Sequence, residues 1–122
     1  VLVLVGTDLI EIDRISKTIE NYGQRFLNRI YTEHEINFCN GKVNSLAGRF
    51  AAKEAVMKLL GTGVRGVGWK EIEIHRQRGH KPTINLYNKA KNIAIKKKII
   101  DIEISISHSR STAFAVAVAS TK

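Results

Sequence analysis

SLAGRFAAKEAVMKLL, Ser45 to Leu60, is the stretch on which the reading of this chain turns. It is rich in alanine and leucine and is closed by Gly61, so it predicts a long helix. Winding it at about 100° per residue spreads Leu46, Phe50, Ala51, Ala55, Val56, Leu59 and Leu60 almost completely around the axis. A helix apolar on nearly every side is a buried helix, either inside the core or between subunits. Four charges interrupt it: Arg49, Lys53, Glu54 and Lys58. Glu54 shares its face with Ala47, Phe50, Ala51 and Lys58.

Upstream of this helix, the opening VLVLVGTDLIEI has bulky residues on both faces and predicts a buried strand ending near Asp8 to Ile12. From Asp13, a candidate N-cap, Ile12, Ile15 and Ile19 form the stripe of a helix. A short second helix, Gln24 to Ile30, turns Phe26, Leu27 and Ile30 inward. Thr32 and Glu35 make a capping-box pattern for a third, stopping near Gly41. Downstream, a glycine-rich connection leads to two strands, Trp69 to Arg76 and Lys81 to Leu86, around a turn at Arg78 to His80. Asn88 to Lys98 reads as a basic helix. IEISISH and STAFAVAVA then alternate on either side of a polar break at Arg110, a hairpin with His108 at its tip. These elements predict an α+β fold, an antiparallel sheet packed on the long helix, with residues 1–122 as one domain.

The composition is that of a globular protein. The chain has 122 residues, 43% hydrophobic and 25% charged, which excludes disordered and fibrous classes. No apolar run approaches the ~18 residues of a membrane span. Val1 to Val5 is too short for a signal-peptide core, so the expected compartment is the cytoplasm. A lone Cys39 excludes an internal disulfide and a multi-cysteine zinc site. Twenty lysines and arginines against eleven acids leave +9, which points to a polyanionic partner without choosing among nucleic acid, acidic membrane, acidic protein and phosphate-rich small molecule. Arg14 and Lys17, then Arg25 and Arg29, stand opposite the apolar stripes of their helices and offer a docking face for such a partner.

The glycines of GTGVRGVG, Gly61 to Gly68, contain a formal G-x-G-x-x-G. A dinucleotide loop needs a strand before and a helix after, and here the order is reversed, so this is a helix stop and a flexible connection. His34, His75 and His80 show no ligand spacing and read as surface histidines. His108 ends an apolar alternation beside Ser109, Arg110 and Ser111, as either a strand-end residue bonded to its turn or a functional group. Asp8 and Glu54 are carboxylates in apolar surroundings. Each needs a partner, either a lysine or arginine or, for the two together, a hard divalent cation such as magnesium.

Three strings, VGTDLIEIDRI, LAGRFAAKEAVMKLLGTG and SISHS, together resemble in order and spacing the holo-[acyl-carrier-protein] synthase family of 4′-phosphopantetheinyl transferases. GHKP, Gly79 to Pro82, is similar to that family's turn before a strand. The resemblance implies transfer of the phosphopantetheine arm of coenzyme A to a serine of apo acyl carrier protein, with magnesium, in a homotrimer with active sites at subunit clefts. Its partners would be coenzyme A and acyl carrier protein, and neither a nucleic acid nor a membrane. Carried over by motif, Asp8 and Glu54 would be metal ligands. Arg49, Lys53, Lys58 and His108 would serve the coenzyme A phosphates, with Asp8, Glu54 and His108 forming the catalytic set. The base for the serine would be Glu54 or a water on the metal. Arg14, Arg25 and Arg29 would dock the acidic carrier protein. Outside the resemblance, the charge alone also allows a small basic nucleic-acid-binding protein, although no RNP-type string is present and aromatics are only 7%. A non-catalytic coenzyme A carrier is a further alternative.

Overall fold

The computed structural model describes residues 1–122. The elements are β1 (Val3–Glu11), α1 (Ile12–Tyr22), α2 (Gln24–Ile30), α3 (Glu33–Cys39), α4 (Val43–Leu60), α5 (Gly63–Gly66), β2 (Ile72–His75), β3 (Thr83–Leu86), α6 (Asn88–Lys96), β4 (Ile99–His108) and β5 (Thr112–Thr121). The fold is α+β, as the sequence predicts. One antiparallel sheet has the order β1-β5-β4, and β2 and β3 form a second. No helix is long and apolar enough to cross a membrane.

α4 lies beneath the larger sheet because both surfaces are made of small residues. Ala47, Ala51, Ala52 and Ala55 are buried on the helix, and Ala113, Ala115, Ala117 and Ala119 are buried on the central strand β5. Gly6 lets β1 come closer still, since a Cβ there would lie 1.9 Å from the Ala55 carbonyl oxygen. The helix ends where expected. Gly61 takes the left-handed conformation at φ 78°, and its N–H returns to the carbonyls of Met57 and Lys58. At the other side, the Tyr31 hydroxyl donates to the Leu46 carbonyl oxygen at 2.7 Å, and Lys97 Nζ donates to that of Leu60 at 2.5 Å.

Four local expectations change. The β1 strand is buried on one face only: Gly6 and Ile10 point inward, whereas Val3, Val5 and Leu9 are 74%, 61% and 62% exposed. Apolar side chains on both faces declare that two surfaces want cover, and the chain itself covers one. Asp13 is not the N-cap of α1, which begins at Ile12 after Glu11 and without a side-chain cap. Within the connection after α4, Gly63–Gly66 winds into one short helical turn, α5. The strand expected from Trp69 starts only at Ile72. Glu71 bends Trp69–Glu71 into a 3-10 turn by accepting from Gly68 N–H at 2.9 Å through one oxygen and from Ala90 N–H at 2.9 Å through the other.

Candidate active site

The close approach at Gly6 determines where the next acid goes. Asp8, two residues on and on the same inward face of β1, comes against α4. There Lys58 Nζ reaches Asp8 Oδ1 at 3.3 Å and the Thr7 carbonyl oxygen at 2.9 Å. The Asp8 side chain is 12% exposed and that of Lys58 55%, so the pair sits at a rim. Glu54 lies one helical turn before Lys58. It is half-buried and makes no hydrogen bond or ion pair. Asp8 and Glu54 line one cavity of about 200 Å³ together with Arg14, Thr18, Phe26 and Phe50.

The electrostatics mark Glu54 out. Burial, and then the Asp8 carboxylate, push its carboxyl above the usual range, with Lys58 and Arg14 pulling the other way. An acid held in this condition is under-compensated by its own chain. No group of three or more His, Cys, Asp or Glu side chains converges anywhere, so the donor set for a cation here is the two carboxylates. That is the set a small hard cation needs when water and a phosphate complete its shell.

The other residues singled out in the sequence do not all join this cavity. Lys53 points away from it and is fully buried: Nζ is paired with Glu35 Oε1 at 2.8 Å and donates to the carbonyl oxygens of Trp69 at 3.0 Å and Ile72 at 2.5 Å. A lysine with all its protons committed inside the core is not a free phosphate ligand. Arg49 is 4% exposed, its guanidinium rests on the Phe38 ring at 4.8 Å, and Nη1 donates to the Ser45 carbonyl oxygen at 3.4 Å. Its Nη2 is buried without a partner. His108 is exposed at the far edge of the sheet. It pairs with Ala113, which in turn pairs with Ile10, so it stands two strand spacings, about 10 Å, from β1.

Arg14 proves to be part of the cavity wall, whereas Arg25 and Arg29 line an adjoining depression with Tyr22. Thr18 and Phe26 belong to both hollows, so a surface route leads from the arginines to Glu54. His34 and His75, read as separate surface histidines, are half-buried and stacked with centroids 4.0 Å apart, and the His34 Nε2 accepts from the Arg76 N–H at 3.2 Å. Thr18, Phe26 and Phe50 carried no signal of their own in the sequence. Their periodicity marked Phe26 and Phe50 as core, and cavity walls share that periodicity.

Comparison with known proteins places this geometry. Residues 4–119 match the 4′-phosphopantetheinyl transferase superfamily. The chain is 48% identical over 120 residues to a holo-[acyl-carrier-protein] synthase of Caldanaerobacter subterraneus subsp. tengcongensis, covering 96% of this chain and 94% of that one. It is 47% identical over 115 residues to one of Gloeobacter violaceus, covering 91% and 87%. Among solved structures, the Helicobacter pylori holo-[acyl-carrier-protein] synthase in complex with coenzyme A superposes with a TM-score of 0.87 at 34% identity, over 96% of this chain and all (100%) of that one. The Neisseria meningitidis enzyme gives 0.87 at 35% identity, over 97% and 98%. With the match running from β1 through the carboxylate-bearing helix to β5, the chain belongs to the 4′-phosphopantetheinyl transferase superfamily.

Proposed function

We propose that the chain moves the 4′-phosphopantetheine arm of coenzyme A onto a serine of apo acyl carrier protein, releasing adenosine 3′,5′-bisphosphate, as a magnesium-dependent enzyme of cytoplasmic fatty acid biosynthesis. One observation carries the reading: Asp8 and Glu54 face a single cavity beside Lys58 and Arg14, in a chain whose relatives bear the name of that activity. Asp8 and Glu54 would hold magnesium, which when bound supplies positive charge against the pyrophosphate oxygens. Glu54 has no protein partner, so a carboxylate oxygen is available to take the serine proton. The serine Oγ bonds to the phosphorus that carries pantetheine. The phosphorus–oxygen bond to the nucleotide breaks, and its electron pair leaves with adenosine 3′,5′-bisphosphate. Lys58 and Arg14 offset the spread negative charge. Incubation with apo carrier protein, coenzyme A and magnesium should add one phosphopantetheine to the carrier by intact mass. Coenzyme A binding with no mass gain would leave a carrier of the cofactor instead.

The outer face of the larger sheet supports a homotrimer. Val3, Val5 and Leu9 of β1 lie in register with Ser120, Val118 and Phe114 of β5, an exposed and mainly apolar surface backed by the alanine seam. Such a face calls for cover. Three copies closing these sheets around a common axis bury it and set the β4 edge of one chain beside the β1 edge of the next. His108 then enters a neighbour's cleft rather than its own. Light scattering at micromolar concentration should give about three times the chain mass, and Val5→Asp should give monomers with no turnover. A persistent wild-type monomer with full activity would overturn the assembly.

The arginines supply the docking step. Because Arg14 belongs to the cavity, the cleaner probes are Arg25 and Arg29, which lie further along the route. Reversing both to glutamate should raise KM for the carrier protein by roughly tenfold or more and flatten its salt dependence, with coenzyme A affinity within about twofold. An equal fall in coenzyme A affinity would remove them from carrier docking.

A further inference from the structure

Glu54 is useful only if α4 presents it to Asp8, and the contacts that seat α4 on the sheet are poor at fixing its rotation. The seam between helix and sheet is alanine on alanine, with Gly6 and Gly48 at the closest approaches. Small side chains bring the backbones together but key weakly against rolling; Ile106 of β4, seated over Gly48, is one side chain that reaches in. Side-chain tips stand about 5–6 Å from a helix axis, so a roll of about 10° moves a carboxylate by about 1 Å. Misplacements of that size are enough to cost about two orders of magnitude in rate.

Tyr31 and Lys97 hold the two ends of α4 through the Leu46 and Leu60 carbonyls, and at mid-helix, on the side away from the sheet, the directional contacts come from the residue immediately before Glu54. Lys53 Nζ binds Glu35 of α3 and two carbonyls of the segment leading into β2. Glu35 is itself fixed, with Oε1 accepting from Thr32 N–H at 2.8 Å and Oε2 from Ile74 N–H at 2.7 Å. Both side chains are fully buried. One of the bound carbonyls belongs to Trp69, whose ring stacks on Phe50 at 4.9 Å, and Phe50 is a wall of the Glu54 cavity. The pair therefore reaches the site by two routes, through the helix backbone to Glu54 and through Trp69 to Phe50.

We propose that the buried Glu35–Lys53 pair is the positioning device of the reaction centre, fixing the roll of α4 so that Glu54 faces Asp8 and holding the Trp69 turn behind Phe50. This rests on the transferase reading given above, and it assigns no contact with substrate to either residue. Removing Lys53 alone would strand a buried carboxylate and unfold the chain, which would say nothing about position. The informative variant is Lys53→Met with Glu35→Gln, which removes both charges and keeps an acceptor for the α3 cap. With the variant shown folded and of wild-type mass, kcat per titrated active site should fall by about 30- to 100-fold, and KM for coenzyme A and carrier protein should stay within about twofold. The emission of Trp69, the only tryptophan, should shift as its stack on Phe50 loosens.

A pair that merely stabilised the fold would lower the fraction of active molecules and leave each at the wild-type rate. Wild-type kcat per active site in the folded double variant overturns the proposal. Glu35→Gln alone keeps Lys53 on its two carbonyls at a cost in stability for the unmatched buried charge, and should lower kcat per folded, titrated site by about three- to tenfold. An unchanged kcat there also overturns it. A wild-type protein that transfers nothing would instead defeat the transferase reading, so the two failures are separate.

Discussion

Glu54→Gln should lower turnover of apo carrier protein by about 10²- to 10⁴-fold, the range for losing a positioned proton acceptor, with the fold intact. Glutamine keeps the size of the side chain and removes the charge. The effect on stability should run opposite to that on activity. Burial and Asp8 raise the folded-state pKa of Glu54, so the stabilising contribution of this group is present below the ordinary carboxylate pKa and is lost as pH rises through the raised value. Above that raised value and without metal the wild type carries an unfavourable charge, and there Glu54→Gln should melt no lower than wild type. That difference should vanish on acidification. Asp8→Asn should be as inactive without that gain, because its carboxylate is matched by Lys58. Intact-mass turnover at saturating substrate, with melting curves at two pH values, checks both. Near-normal turnover in either variant removes that residue from the reaction, leaving Asp8 as the partner of Lys58 and Glu54 as an uncompensated carboxylate.

Gly6→Ala should be the most destabilising small substitution in the molecule. The added carbon would lie 1.9 Å from the Ala55 carbonyl oxygen and 2.8 Å from the Leu59 nitrogen, both backbone atoms of α4. Neither can swing aside as a side-chain tip could, so β1 must lift from the helix. Overpacking costs about 1–3 kcal/mol where neighbours can give, and here the cost should be about 3 kcal/mol or more. Lifting β1 also withdraws Asp8 from Lys58, so activity should fall beyond what the melting curve explains. Gly41→Ala is the control. At φ 76° with nothing within 4 Å of the new carbon, it should cost only the left-handed penalty of about 1–2 kcal/mol. Equal denaturation midpoints for the two variants would contradict this account of the seam.

Much of the fold was legible because its signals are local. Alanine and leucine followed by Gly61 announce α4, Thr32 and Glu35 announce α3, and the alternation on either side of Arg110 announces the hairpin. Asp8 and Glu54 were legible because a carboxylate among apolar residues always requires an explanation. Lys53, carried over by motif to the coenzyme A phosphates, is instead held in the core. Its partner Glu35 had already been explained by the capping box, and nothing in a sequence says that one carboxylate oxygen can serve Thr32 and Lys53 together. Arg49 likewise looks like a phosphate ligand until Phe38, eleven positions earlier, is seen beneath it. The two-sided hydrophobicity of β1 predicts burial on both faces, whereas within the chain only the Gly6 and Ile10 face is covered; a single sequence does not say which face the chain itself covers.

The sheet order β1-β5-β4 has a consequence for genetics. Since Asp8 and His108 stand at opposite edges of one sheet, a proposed cleft draws one residue from each of two neighbouring chains. Two defective alleles, one altered at Asp8 and the other at His108, would then complement each other when expressed together. With random mixing, about a quarter of the clefts in the mixed population would receive both intact residues, and those clefts would sustain growth that neither allele supports alone.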